Sequence, residues 1–167
     1  MTEKAMAAAR KSASRRGRDE TSVVPQIAAE AFEPDARARV MLNGIRIAEE
    51  DLRAAGGAYT LEEVQGLMRG VTRQAIEKRV SEGSLLAVPG PSNRRRYPVA
   101  QFKADGSIVG GMRTVREALP TKNPWTILNF LVQPDPKLGG KKPIELMRKG
   151  DVDRVVEAAR RVGEQGA

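Results

Sequence analysis

Apolar residues recur every three or four positions along most of this chain, and short turn-forming runs separate one such stretch from the next. Within residues 60–102, Leu61, Val64, Leu67 and Met68 share one face of a helix. Thr60 and Glu63 have the spacing of a capping box that starts it. Gly70 supplies the positive φ a tight exit needs, and Val71 fills the corner. Thr72 then caps a second helix that begins at Arg73 and stops at Gly83. On it Ile76 and Val80 lie on one side with Ala75 beside them, and Gln74, Lys78 and Ser81 lie opposite. Arg73 and Glu77 sit at the edges of that polar face.

Beyond Gly83 the period changes. Leu85, Leu86 and Val88 read as a short strand, 89–93 as a turn and 95–99 as a return strand. Two short helices joined by a Gly-bearing turn and followed by a hairpin form the pattern of a helix-turn-helix with a β wing.

Upstream, Asp35 reads as the cap of a helix from Ala36 to about Ala55, closed by Gly56 and Gly57. Ala38, Met41, Ile45, Ala48, Leu52 and Ala55 form a heptad-like seam. That seam suits pairing with a second copy, or packing on the chain's own folded part; both readings stay open. Residues 103–111 are Gly-rich and turn-like, a boundary. Met112, Val115 and Leu119 then predict a short helix that ends before Pro120. Asn123 and Pro124 restart one carrying Trp125, Leu128, Phe130, Leu131 and Val132. Pro143 opens another, with Ile144, Leu146 and Met147, and Gly150 closes it. Asp151 is the expected cap of a last helix with Val152, Val155, Val156, Ala159 and Val162 in one stripe.

The expected architecture is therefore mainly α: a helix-turn-helix with a small β wing plus a small C-terminal helical bundle. Its divisions are a disordered basic arm (1–22), a helical linker or dimerisation segment (23–57), the winged unit (58–102) and the C-terminal helices (112–167).

Charge adds a partner to this picture. The 167 residues carry a net charge of +8, which favours a polyanion, and double-stranded DNA fits a helix-turn-helix. Thr72, Arg73 and Gln74 stand at the first turn of the second helix with Lys78 one turn on, where base contacts concentrate. Arg94, Arg95 and Arg96 at the wing tip suit phosphates. The chain has no Cys and no His, which removes disulfides, zinc fingers and the commonest general base and metal ligand. No catalytic arrangement, metal site or cofactor motif replaces them, since Gly139, Gly140, Lys141 and Lys142 lack the spacing of a phosphate loop. The expectation is a cytoplasmic, non-enzymatic, self-associating DNA-binding protein, with no apolar run long enough for a membrane.

Residues 123–163, NPWTILNFLVQPDPKLGGKKPIELMRKGDVDRVVEAARRVG, resemble the toxin-binding domain of the Xre/MbcA/ParS class of bacterial antitoxins. Trp125, Leu131, Leu138-Gly139-Gly140, Pro143-Ile144-Glu145-Leu146, Gly150-Asp151 and Val155 carry the resemblance. It implies that this part binds a RES-type toxin, a fold that degrades NAD or uses it for ADP-ribosylation, and shields its active site. On that basis Trp125, Leu138, Gly139, Gly140, Pro143, Gly150, Arg160 and Arg161 are candidates for the toxin-binding surface, the last two for reaching the toxin's pocket. Many members of that class carry a larger helical bundle where residues 60–102 predict a short winged motif. A stand-alone DNA-binding regulator whose C-terminal bundle only packs or dimerises is the alternative.

Overall fold

A computed structural model of the chain describes residues 35–166. The expected basic arm lies outside the described residues. The fold is mainly helical, with seven α-helices among the described residues and one small antiparallel sheet.

The chain divides into two compact units, 1–43 and 44–167. Of the first, 35–43 are described: Asp35 accepts the Ala38 N–H at 2.7 Å and caps α1, Ala36–Ala54. Val40, Met41 and Leu42 are exposed there.

In the second unit the C-terminal part of α1 is followed by β1 (Ala58–Tyr59), α2 (Leu61–Leu67), α3 (Arg73–Glu82), β2 (Val88–Pro89) and β3 (Arg95–Pro98). Four helices complete it: α4 (Met112–Ala118), α5 (Pro124–Val132), α6 (Pro143–Arg148) and α7 (Val152–Val162). The expected caps hold their helices. Glu63 N donates to Thr60 Oγ1 at 3.2 Å while Thr60 N donates to Glu63 Oε2 at 2.7 Å. Ala75 N donates to Thr72 Oγ1 at 3.2 Å, and Asn123 Oδ1 accepts from Trp125 N at 2.9 Å. Asp151 differs: it stands at the start of α7 but accepts no backbone N–H, and its Oδ2 accepts from Arg154 Nη1 at 3.1 Å instead.

The α2–α3 corner turns through two left-handed residues, Arg69 (φ 59°) and Gly70 (φ 82°). Gln65 clamps it by donating from Nε2 to the Val71 carbonyl at 3.2 Å. The expected strand over Leu85, Leu86 and Val88 is shorter than its apolar run. Leu86 has its N–H and carbonyl bonded by the Gln101 side chain, at 2.7 and 2.8 Å, so a side chain replaces the ladder there. Gln101 is itself only 2% exposed. The sheet instead gains an unexpected third strand, as β1 pairs with the outer edge of β3 in the order β1–β3–β2.

Two apolar clusters fill the unit. Val64, Ile76, Leu85, Tyr97 and Phe102 lie beneath α2, α3 and the hairpin, with Tyr59 edge-on to Phe102. The larger cluster joins Ala55, Leu86, Val88 and Ala100 to the interior of α4–α7, including Met112, Val115, Leu128, Leu131, Ile144 and Val155. It includes Val109 of the Gly-rich 103–111 stretch, whose Ile108 bridges Phe102 and packs on the smaller cluster. The C-terminal helices thus share their core with the hairpin, and the strongly apolar inner faces of Leu86 and Val88 are what draw them together.

Asp51 on α1 is 1% exposed and accepts from Asn129 Nδ2 at 3.0 and 3.1 Å and from Gln133 Nε2 at 2.9 Å. These bonds tie α1 to α5, and no buried side-chain nitrogen or oxygen among the described residues lacks a partner. No described helix is long and apolar enough to cross a membrane.

Candidate nucleic-acid interface

Folding brings Arg73, at the start of α3, into one open groove with Arg94, Arg95 and Arg96 of the hairpin. Each is placed by local chemistry. Thr72 caps α3 and so aims its first turn outward, leaving Thr72, Arg73 and Gln74 exposed. The hairpin tip curls through Ser92 and Asn93, both at φ 57°, and closes with Gly90 N donating to Arg94 O at 2.8 Å. Gly90 is required there: a Cβ would press to 2.6 Å from Arg96 Cγ and 2.7 Å from the Arg94 carbonyl oxygen.

A strand alternates its side chains, yet Arg94 of the curled tip and Arg95 and Arg96 of the strand all line the same groove. None of the three guanidinium groups makes a hydrogen bond or ion pair among the described residues. Tyr97 is buried between the helices and the sheet, and that burial pushes its phenol pKa up. The groove also holds acids. Glu62 and Glu77 line it, and Arg73 Nε donates to Glu77 Oε1 at 2.9 Å, which holds the guanidinium pKa above its ordinary value. Lys78 lies farther along the exposed face, 3.7 Å from Glu82. Such exposed cations retain their reach for an anion, since water screens surface ion pairs of this kind.

The C-terminal candidates separate by environment. Leu138 and Pro143 are buried, so they shape the bundle and their side chains are out of a partner's reach. Gly139, Gly140 and Gly150 are exposed at positive φ (69°, 73° and 84°) and turn the chain between Pro136–Leu138, α6 and α7. Trp125 is half-buried against the larger cluster. Arg160 and Arg161 are exposed at the end of α7, Arg161 paired with Glu157 at 2.9 Å and Arg160 at 4.0 Å from the same carboxylate.

Two residues that pattern reading passes over connect these regions. Arg148 on α6 donates to the carbonyls of Ala100 at 2.6 Å and Phe102 at 3.5 Å, and Arg116 on α4 donates to that of Leu85 at 3.3 Å. Burial holds the Arg116 pKa below its ordinary value. Both read in the sequence as solvated helix cations, and no local signal separates them from their neighbours.

Comparison with known families, with curated proteins and with solved structures finds no match to this chain.

Proposed function

We propose that this chain is an antitoxin that binds DNA through a winged helix-turn-helix and a RES-type toxin through its C-terminal helices. The observation that carries the DNA half is the groove in which Arg73 of α3 and the hairpin arginines Arg94, Arg95 and Arg96 converge. On this reading α2 and α3 are the helix-turn-helix, with α3 entering the major groove, and the β2–β3 hairpin is the wing on the flanking backbone. The net charge of +8 supports a polyanionic partner. The toxin half rests on the resemblance of residues 123–163, whose turn glycines and buried apolar residues supply the frame that presents the end of α7. Binding both partners would let the protein repress its own operon.

Because α4–α7 share a core with the hairpin, deleting them removes the core along with any toxin site. The test therefore uses exposed residues in the full chain. If the protein encoded beside this chain is the RES-type partner, Arg160→Glu combined with Arg161→Glu abolishes its co-purification, with an unchanged circular dichroism spectrum and thermal midpoint. Equal recovery with wild type and variant removes α7 from the toxin site. That shared core also favours a second reading, a stand-alone regulator whose C-terminal helices serve folding alone; it predicts that wild type retains no neighbour-encoded protein.

Self-association belongs to the same proposal. Val40, Met41, Leu42 and Ile45 on α1 are 55–73% exposed, unusual for large apolar side chains along a single helix. Met41→Glu with Ile45→Glu converts the sedimenting species to the mass of a single chain; a wild type that already sediments as one chain contradicts it.

A further inference from the structure

A surface that only followed a phosphate backbone would gain nothing from carboxylates, yet Glu62 and Glu77 line the arginine groove. Both repel phosphate. Glu77 is in direct contact with Arg73, its Oε1 accepting from Nε at 2.9 Å. The terminal nitrogens Nη1 and Nη2 make no hydrogen bond among the described residues. A guanidinium anchored through Nε keeps both terminal N–H groups side by side, the fork that matches guanine O6 and N7.

We propose that Arg73 reads a guanine in the major groove and that Glu77 is its positioning residue, holding the guanidinium in the orientation the base requires. The inference rests on the DNA-binding reading given above. It assigns different tasks to the cations of one groove. Arg94, Arg95 and Arg96 have no carboxylate partner, which suits phosphate, a target that tolerates a mobile cation. Arg73 has one, which suits a base edge, where a fixed orientation lowers the entropy lost on binding.

An i,i+4 pair is an ordinary helix-surface feature, and Arg113 makes the same 2.9 Å contact with Glu117 on α4. What separates Arg73 and Glu77 is their place: Arg73 opens a ten-residue helix, Glu77 stands one turn on, and both face three arginines on a neighbouring hairpin. Lys78 and Glu82, next along the helix, sit at 3.7 Å, and an ammonium offers no fork.

The experiment selects randomised duplexes with the full-length protein and then measures affinity for the selected site, for the same site with the guanine replaced, and for a random duplex. Wild type enriches sites with guanine at one fixed position. Arg73→Lys removes that preference. Glu77→Ala lowers discrimination at that position about tenfold, while affinity for the random duplex stays equal or rises, because a repelling charge has gone. Glu77→Gln, whose Oε1 still accepts the Nε–H, keeps most of the discrimination. Unchanged discrimination in Glu77→Ala overturns the inference, and so does a proportionate fall in random-duplex affinity, the mark of a merely structural residue. Salt-dependent binding by wild type with no guanine preference also overturns it and leaves the DNA-binding reading intact. A wild type that binds no duplex at all removes both.

Discussion

Replacing Arg94, Arg95 and Arg96 together with Ala lowers affinity for every duplex about a hundredfold near physiological salt, and it flattens the slope of log K against log salt concentration by about three units. Each guanidinium that neutralises a phosphate releases about one counterion, so three lost contacts appear directly in the slope. The loss is uniform across sequences because phosphates carry no sequence information. The fold is retained, since none of the three side chains makes a hydrogen bond or ion pair among the described residues and only Arg96, packed beside Gly90, is half-buried. Fluorescence anisotropy of a labelled duplex over a series of salt concentrations gives both quantities. A triple variant with wild-type affinity and slope removes the wing from the DNA contact.

A second large effect, on stability, falls on a residue with no side chain. Gly111→Ala destabilises the 44–167 unit by about 2–4 kcal/mol, from left-handed strain together with overpacking. Gly111 has φ 84°, and a Cβ there would run into the Val152 side chain at the start of α7. Its own carbonyl accepts the Val115 N–H at 3.0 Å, so it cannot move away without fraying α4, the helix packed on α7. Gly110 is the internal control: nothing lies within 4 Å of its added Cβ and its φ is not positive, so Gly110→Ala stays within about 0.5 kcal/mol of wild type. Urea denaturation followed by circular dichroism separates the two. The hairpin residues Leu86 and Val88 share the cluster that α4 and α7 close, so Trp125 fluorescence and helix content should be lost in one transition. A Gly111→Ala midpoint equal to that of Gly110→Ala contradicts the tight approach.

Local chemistry made much of this fold legible in advance. Thr60 with Glu63, Thr72, and Asn123 before Pro124 are short-range signals, because a cap is satisfied within three residues. The α1, α2, α3 and α5 boundaries follow from such pairs and from Gly56, Gly70 and Gly83. Partners distant in sequence leave no such trace. Asp51 follows Glu49 and Glu50, which are exposed, and nothing nearby marks it as the acid that meets Asn129 and Gln133 on α5. Nothing adjacent to Gln101 marks it for the ladder position it occupies beside Leu86. Strand β1 is two residues long, too short for alternation to register. Asp151 shows the limit even of cap rules: it holds the cap position, yet its carboxylate accepts from the Arg154 side chain and from no backbone N–H.

The candidate site was legible as residue types and not as a geometry. The arginine run and the exposed first turn of α3 are visible in the chain, but their convergence depends on the left-handed tip at Ser92 and Asn93. The carboxylates in the groove gain meaning only through that convergence. In the C-terminal half, the residues that carry the antitoxin resemblance are largely turn glycines and buried apolar groups, so they speak to the frame. The exposed end of α7 is where a partner's specificity would be set.

Cellular NAD content, with the gene beside this chain's own expressed alone and together with the full-length chain, tests the antitoxin assignment. NAD depletion and growth arrest are expected for the neighbour alone, and near-normal NAD and growth when this chain is present at equal or greater abundance. A neighbour that leaves NAD untouched, or depletion that persists with abundant soluble chain, contradicts the antitoxin assignment.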